Sequence, residues 1–491
     1  MGLYKSLFKQ TAIYGFATVF PRMMSFLLTP LYVTPGILDR DEYGRVSQIF
    51  AYMIFMNVIL AYGMETSFFR FYNKETNKKD VIETSIISIF WTSLLFLALA
   101  LILRGNVAAW IGIDVQYVTY AIWILVLDAL AIVPFSKLRA TAKPMRYAVI
   151  KMGNVTINVL LNLFFLLWLP KIAEADPNSF IGSLYFEDYQ IGYIFVSNVI
   201  ASLLTFFVLS GDYMHVSWHF NTDLWKRMMR YGFPILFAGI AFAINEQFDK
   251  ILLGKLLPPN VADSQVGVYS ACYKLGLFMV LFRTAYTLGI EPFFFSHASH
   301  KNAPKTYATV TKYFVISGSC ISLAVIVFSD LLKRLMIPNV AYWEAMKIVP
   351  LIILANFFLG IYTNLSVWYK LIDKTYIGAY ISLIGAIVTL ALNFLLIPKY
   401  SYMGSAIATI AAYGTMMTIS YFWGNKYYPI PYDAPKIGGY LAVSIAFSGI
   451  YFYFFRENYF VGIPMLLAFG YFVYHNEKET IQRIMRRKPT D

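Results

Sequence analysis

Residues 81–103 read VIETSIISIFWTSLLFLALALIL, and after Glu83 no charge appears for 20 residues. A stretch of this length crosses a hydrocarbon core of about 30 Å as a helix. Lipid offers backbone groups no partners, so every N–H and C=O must be satisfied inside the segment. The same pattern recurs on both sides of it. Fourteen spans are expected, near 10–34, 45–64, 81–103, 115–135, 148–169, 190–211, 230–253, 266–289, 308–330, 348–369, 376–397, 402–424, 437–455 and 459–474. Composition agrees: 59% of the 491 residues are hydrophobic and 14% are charged, where about 25% charged is usual for soluble domains. A disordered chain and an ordinary soluble enzyme are both excluded. The first span is too long for a cleavable signal peptide and carries Arg22 at its midpoint.

The formal charge of +13 raises the question of nucleic acid, and the placement of the charges answers it. With the N-terminus in the cytosol, 26 of the 40 Lys and Arg fall in cytosolic segments and 10 in outer loops. The positive-inside rule then fixes the orientation, with both ends cytosolic. Clusters such as Lys74, Lys78, Lys79 and the tail Arg483, Arg486, Arg487, Lys488 are expected against an anionic inner leaflet. Nucleic acid is not needed to explain them. Cys272 and Cys320 lie inside spans, which argues against a disulfide scaffold or a cysteine-ligated zinc.

Spans 1–6 and 7–12 carry traces of a repeat. Tyr14-Gly15-Phe16 opens span 1 and Tyr231-Gly232-Phe233 opens span 7. At a constant offset of 231, Arg139 falls on Lys370, Lys143 on Lys374, Ala148 on Ala379, and Leu161-Asn162 on Leu392-Asn393. Each half has six spans, so paired spans cross in the same sense and the pseudo-two-fold axis stands along the membrane normal. The expected division is an N-lobe over 1–229, a C-lobe over 230–424, and spans 13–14 with a basic tail over 425–491. Two lobes should face each other across a cavity.

With these features in view, the chain resembles the oligosaccharide and polysaccharide flippases, O-antigen type, of the multidrug/oligosaccharidyl-lipid/polysaccharide exporter superfamily. The resemblance rests on Tyr14-Gly15-Phe16, Pro21-Arg22-Met23-Met24-Ser25-Phe26-Leu27-Leu28, Glu42-Tyr43-Gly44 and Gly63-Met64-Glu65-Thr66-Ser67-Phe68-Phe69-Arg70-Phe71-Tyr72. Asp249-Lys250, Val268-Tyr269-Ser270-Ala271 and Tyr402-Met403-Gly404-Ser405-Ala406 continue it through the second half. It implies an all-α polytopic fold of about 14 helices, two six-helix lobes plus two C-terminal helices. It also implies a flippase that moves a polyprenyl-diphosphate-linked oligosaccharide across a bacterial inner membrane for surface polysaccharide or lipopolysaccharide synthesis, alongside polysaccharide assembly proteins. Phe20-Pro21-Arg22 resembles the first-span segment of lipid II flippases, where an arginine lines the cavity, and Tyr273-Lys274-Leu275 falls where those proteins carry another. A second first-span arginine of that group would fall near Leu28, which is not basic, and that argues against lipid II as cargo.

Charges inside spans narrow the site. Nine ionisable residues lie within or at the edges of spans: Arg22, Glu65, Asp128, Glu246, Asp249, Lys250, Lys274, Arg283 and Glu291. At about 3 kcal/mol each facing lipid, their sum would exceed the roughly 5 to 15 kcal/mol stability of a typical protein. Most must pair, reach an interface or line water. Arg22 sits midway along span 1, and Lys274 lies about 12 Å inside span 8 at 1.5 Å per residue. Both are expected in the inter-lobe cavity, where a planar guanidinium and a compact ammonium suit a diphosphate. Glu65, Arg283 and Glu291 are expected at the cytosolic interface. Glu246, Asp249 and Lys250 share a helical face, with Glu246 and Lys250 spaced to pair, which would leave Asp249 for Lys274 or a coupling cation. Asp128 is the other candidate for H+ or Na+ coupling. Mid-span asparagines, among them Asn154, Asn158, Asn162, Asn198, Asn245, Asn356 and Asn393, suit hydrogen bonds between helices. Pro21 is expected to bend span 1.

No Gly-x-x-x-x-Gly-Lys-Ser/Thr loop occurs, so nucleotide hydrolysis is not expected. The driving force should come from an ion gradient or from removal of the cargo, and no cofactor or metal is expected. His215 with His219, and His297 with His300, lie in basic cytosolic loops that do not suit a metal. Two alternatives to a flippase stand. A cation-coupled multidrug antiporter of the same superfamily should favour an acidic or aromatic pocket. A membrane polysaccharide polymerase or ligase should carry a substantial outer loop, and the longest here is 170–189.

Overall fold

The computed structural model describes residues 2–296, 298, 300 and 302–486. It is 87% helical, and no strand occurs among the described residues. Each expected span is a helix, numbered by span: α1 (Gly2–Tyr32), α2 (Arg40–Ala61), α3 (Lys78–Ile111), α4 (Val115–Ala140), α5 (Pro144–Leu163), α6 (Gln190–Leu209) and α7 (Thr222–Leu256). There follow α8 (Pro259–Tyr273, continuing as Leu277–Ser296), α9 (Ala303–Val327), α10 (Val349–Leu365), α11 (Tyr376–Tyr400), α12 (Tyr402–Tyr427), α13 (Ala434–Phe454) and α14 (Tyr459–Arg486). Among the described residues, eleven helices are long and apolar enough by themselves to cross a membrane. The other three, α1, α12 and α14, run for 31, 26 and 28 residues. The fold is that of a polytopic all-α membrane protein. Helix α1 is continuous through Pro21 and Pro30. The tail Arg487 and Lys488, His297, and the side chains of Glu291, Arg483 and Arg486 lie outside what is described.

Local sequence sets the helix ends. Asp39 caps α2 by accepting from the Glu42 N–H, while the Glu42 carboxylate accepts from the Asp39 N–H. This capping box satisfies two N–H groups that the first helical turn leaves free. At its other end α2 stops at Tyr62 and Gly63, both at positive φ, and a short helix, Met64–Lys74, turns away from it.

The two halves pair their helices by one scheme. In the first half α1 packs on α5, α3 on α4, and α6 on both α4 and α5; in the second α7 packs on α11, α9 on α10, and α12 on both α10 and α11. The repeat read from sequence returns as geometry. Asn162 and Asn393 are wholly buried, and each donates to the carbonyl four residues earlier, on Asn158 and Thr389. Each also accepts a hydroxyl from a neighbouring helix, Asn162 from Tyr32 at 2.9 Å and Asn393 from Ser405 at 2.7 Å. The turns before α5 and α11 match as well. Ala142 and Asp373, 231 positions apart, both take positive φ, at 52° and 56°. The N–H groups of Lys143 and Lys374 then donate to Leu138 and Tyr369, again a matched pair.

Between the halves, α2 crosses the first arm of α8 and runs along α7, and α1 meets the second arm of α8. The α2–α8 crossing depends on absent side chains. A Cβ on Gly44 would lie 1.9 Å from the Asp263 carbonyl oxygen, and one on Gly267 would lie 2.0 Å from that of Arg40. Small residues let helix backbones approach this closely in lipid, where dispersion contacts rather than water drive association. Arg45 and Gln48 then reach Asp263 at 3.2 and 2.7 Å. Helix α13 packs on α9, and α14 on both.

Candidate functional site

A cavity of about 410 Å³ opens between the halves. Ser25, Thr29 and Tyr32 of α1 and Ser47 of α2 line one side, and Glu246, Lys250, Tyr273, Lys274 and Asn356 line the other. Asn158 and Asn198, bonded to each other at 2.8 Å, add polar atoms from α5 and α6. The walls mix charge, amide, hydroxyl and aromatic groups, a surface suited to a polar head group rather than to an apolar molecule alone.

Lys274 occupies a special place in this cavity. Helix α8 changes there into a single 3-10 turn, Lys274–Gly276, before resuming at Leu277. Short 3-10 segments inside a helix mark strained or hinge positions. The lysine makes no ion pair among the described residues, and another cation, Lys250, lines the same cavity. Lys250 is compensated, because its ammonium lies 3.2 Å from the buried Asp249 carboxylate and 4.5 Å from the Tyr273 ring centre. Asp249 also accepts the Tyr269 hydroxyl at 2.7 Å. One uncompensated positive charge therefore faces the cavity.

Arg22 is not among the residues that line the cavity, where it was expected. It is exposed, one turn before Ser25 on the same stripe of α1, and its guanidinium donates to the Thr284 hydroxyl of α8 at 2.8 Å. Asp128 sits elsewhere, in a second chamber of about 440 Å³ inside the first half. There its carboxylate accepts the Ser202 hydroxyl at 2.9 Å, with Lys151 and Asn154 in the same wall. Glu65 and Arg139, 2.6 Å apart, line that chamber too.

Two further expectations are corrected. Lys250 pairs with its neighbour Asp249, not with Glu246. Arg283 does not face outward as an interfacial arginine would: only 12% of its side chain is exposed, and it lies 3.6 Å from Glu246 across the α7–α8 contact. Helix α8 continues to Ser296, so Arg283 stands 13 residues, about 20 Å, before its end. The mid-span asparagines do bond between helices in several cases: Asn154 to Thr205, Asn158 to Asn198, and Asn245 to α11 through Ser382 and Thr389.

The fold matches that of a lipid II flippase, MurJ, in an inward closed conformation, with a TM-score of 0.72 at 15% identity over 95% of this chain and 99% of that one. A Vibrio cholerae MATE transporter, VcmN, matches at a TM-score of 0.60 and 16% identity, covering 87% of this chain and 97% of that one. An outward-facing multidrug resistance transporter of the MATE family gives 0.60 at 12% identity, covering 85% and 95%. Comparison with curated proteins finds no significant match. A family model described as polysaccharide biosynthesis protein matches residues 7–296, more than half of the chain. The chain therefore belongs to the polysaccharide biosynthesis protein family.

Proposed function

We propose that the protein is a flippase that carries a polyprenyl-diphosphate-linked oligosaccharide from the cytosolic to the outer leaflet of a bacterial inner membrane, for surface polysaccharide of the O-antigen type. The observation that supports this most is Lys274, an uncompensated cation at a helix break in the wall of the cavity between the halves. An unpaired ammonium away from bulk water is costly. An anionic head group that enters the cavity relieves that cost, with Arg22 of α1 as the second cation it meets. The sugar faces the asparagines, hydroxyls and tyrosines of the wall while the polyprenyl tail stays in lipid.

Transport follows from rocking the 1–229 lobe against the 230–424 lobe, with the cavity exposed to each side in turn. Both termini lie in the cytosol in this scheme. Asp128, in its separate chamber, is the candidate for coupling to H+ or Na+. The test is a leaflet-transfer assay in proteoliposomes with a fluorescent polyprenyl-diphosphate-oligosaccharide. Lys274→Ala should slow transfer at least tenfold at unchanged protein level, and a strain carrying it should lose surface polysaccharide. Transfer at the wild-type rate in the Arg22→Ala, Lys274→Ala double variant would refute the assigned site. Drug efflux without lipid transfer would favour the antiporter.

A further inference from the structure

Glu246 and Arg283 present a feature that the flippase reading leaves unused. The pair joins α7 to the second arm of α8, with the guanidinium Nη2 3.6 Å from the carboxylate, longer than a direct hydrogen bond. Glu246 faces the cavity and is 32% exposed, whereas Arg283 is nearly buried behind it. Thr284, the next residue, accepts from Arg22. Arg22 thus bonds α8 at the residue after Arg283, and Lys274 lies nine residues before Arg283 on the same helix.

The geometry points to Arg283 as a further phosphate-binding residue held in reserve by Glu246. The inference rests on the phosphate-bearing cargo proposed above. A carboxylate is a monoanion that only approaches the guanidinium. A diphosphate brings more charge and more acceptor oxygens, and it matches the planar fork of arginine with two bonds at once. On entry the diphosphate takes Arg283 from Glu246, and the like charge of the two anions turns the carboxylate away toward Lys250, on the next turn of α7 at i+4. On exit Glu246 returns and displaces the cargo. Such an internal competitor keeps the binding weak enough for release, and it keeps an arginine that is nearly out of water from standing unpaired in the empty protein.

The test uses the purified full chain in detergent, with inorganic pyrophosphate as the probe and calorimetry as the readout. Removing the competitor with Glu246→Gln should tighten pyrophosphate binding about three- to tenfold. Arg283→Gln should weaken it at least tenfold, and Arg283→Lys less. The Glu246→Gln, Arg283→Gln double variant should bind as weakly as Arg283→Gln alone, since the competitor acts only through the arginine. A merely structural pair predicts otherwise: Glu246→Gln would lower the unfolding temperature and leave binding unchanged or weaker, and that overturns the inference. Arg283 variants that bind like wild type while Lys274→Gln loses binding would overturn it too, with the phosphate site itself intact. No binding by the wild type would remove both readings. Should Arg283→Gln fail to fold, the sign of the Glu246→Gln change still decides.

Discussion

The α2–α8 crossing tests alternating access directly, because its tightness is set by two hydrogen atoms where any other residue has a carbon. In Gly44→Ala the new Cβ would stand 1.9 Å from the Asp263 carbonyl oxygen, and ordinary contact begins near 3.4 Å. The backbones must part by about 1.5 Å at that point. Overpacking of this kind costs about 1 to 3 kcal/mol in a well-packed site. If rocking of the lobes opens this crossing, as alternating access requires, the cost falls on the closed conformation alone. The closed state should lose roughly 5- to 150-fold in population relative to the open one. Gly267→Ala, 2.0 Å from Arg40, should act alike. A cysteine placed at Ser47, which lines the cavity, reports the change in a background with Cys272 and Cys320 replaced. A membrane-impermeant maleimide added outside should label it several-fold faster in either glycine variant. Gly105→Ala is the control, because its Cβ meets nothing within 4 Å. Equal labelling of Ser47→Cys in all three backgrounds would show that this crossing does not close the cavity.

Other consequences concern stability. Asn162→Ala and Asn393→Ala remove matching buried bonds to Tyr32 and Ser405, so each should cost about 0.6 to 1.7 kcal/mol. The two costs should agree within about 0.5 kcal/mol in thermal unfolding if the halves are equivalent. Arg456→Gln should cost more, about 1.5 to 3 kcal/mol, since it removes the fork that grips Asp330, 1% exposed, at 2.8 Å and leaves Lys333 alone on that carboxylate. Burial pushes the Asp330 carboxyl up, but hydrogen bonds from Arg456 and Lys333 outweigh it and hold the group below the ordinary carboxylate range. The pair therefore contributes its full stability above about pH 4. That contribution should fade as pH drops through the lowered value, a loss that an acid titration of unfolding would show more strongly in wild type than in Arg456→Gln.

Fourteen helices and the repeat were legible because both are written in local patterns. Apolar runs give length, and a constant offset carries the Asn162 and Asn393 bonds together with the positive-φ turns at Ala142 and Asp373. Lys274 was legible for a related reason: a charge eight residues into an apolar run has few places to go. Its partners were not. The i, i+4 rule sees one helix at a time, and on that rule Glu246 pairs with Lys250. The fold brings α8 against α7, so Arg283 takes Glu246, the Tyr269 hydroxyl takes Asp249, and Lys250 settles on the carboxylate beside it.

This exchange of partners bears on mechanism. Of five charges on α7 and α8, Glu246, Lys250 and Lys274 line the cavity while Asp249 and Arg283 do not, and four are matched: Asp249 with Lys250 and Glu246 with Arg283. The fifth, Lys274, is set at the only point along α8 where the α-helical ladder gives way to a 3-10 turn. Lys250 and the Tyr269 hydroxyl occupy Asp249, so the unmatched charge coincides with the 3-10 turn of α8. Binding of an anion there acts on the helix that forms the crossing with α2 at one end and the contact with Arg22 at the other. Cargo and gates thus share one helix.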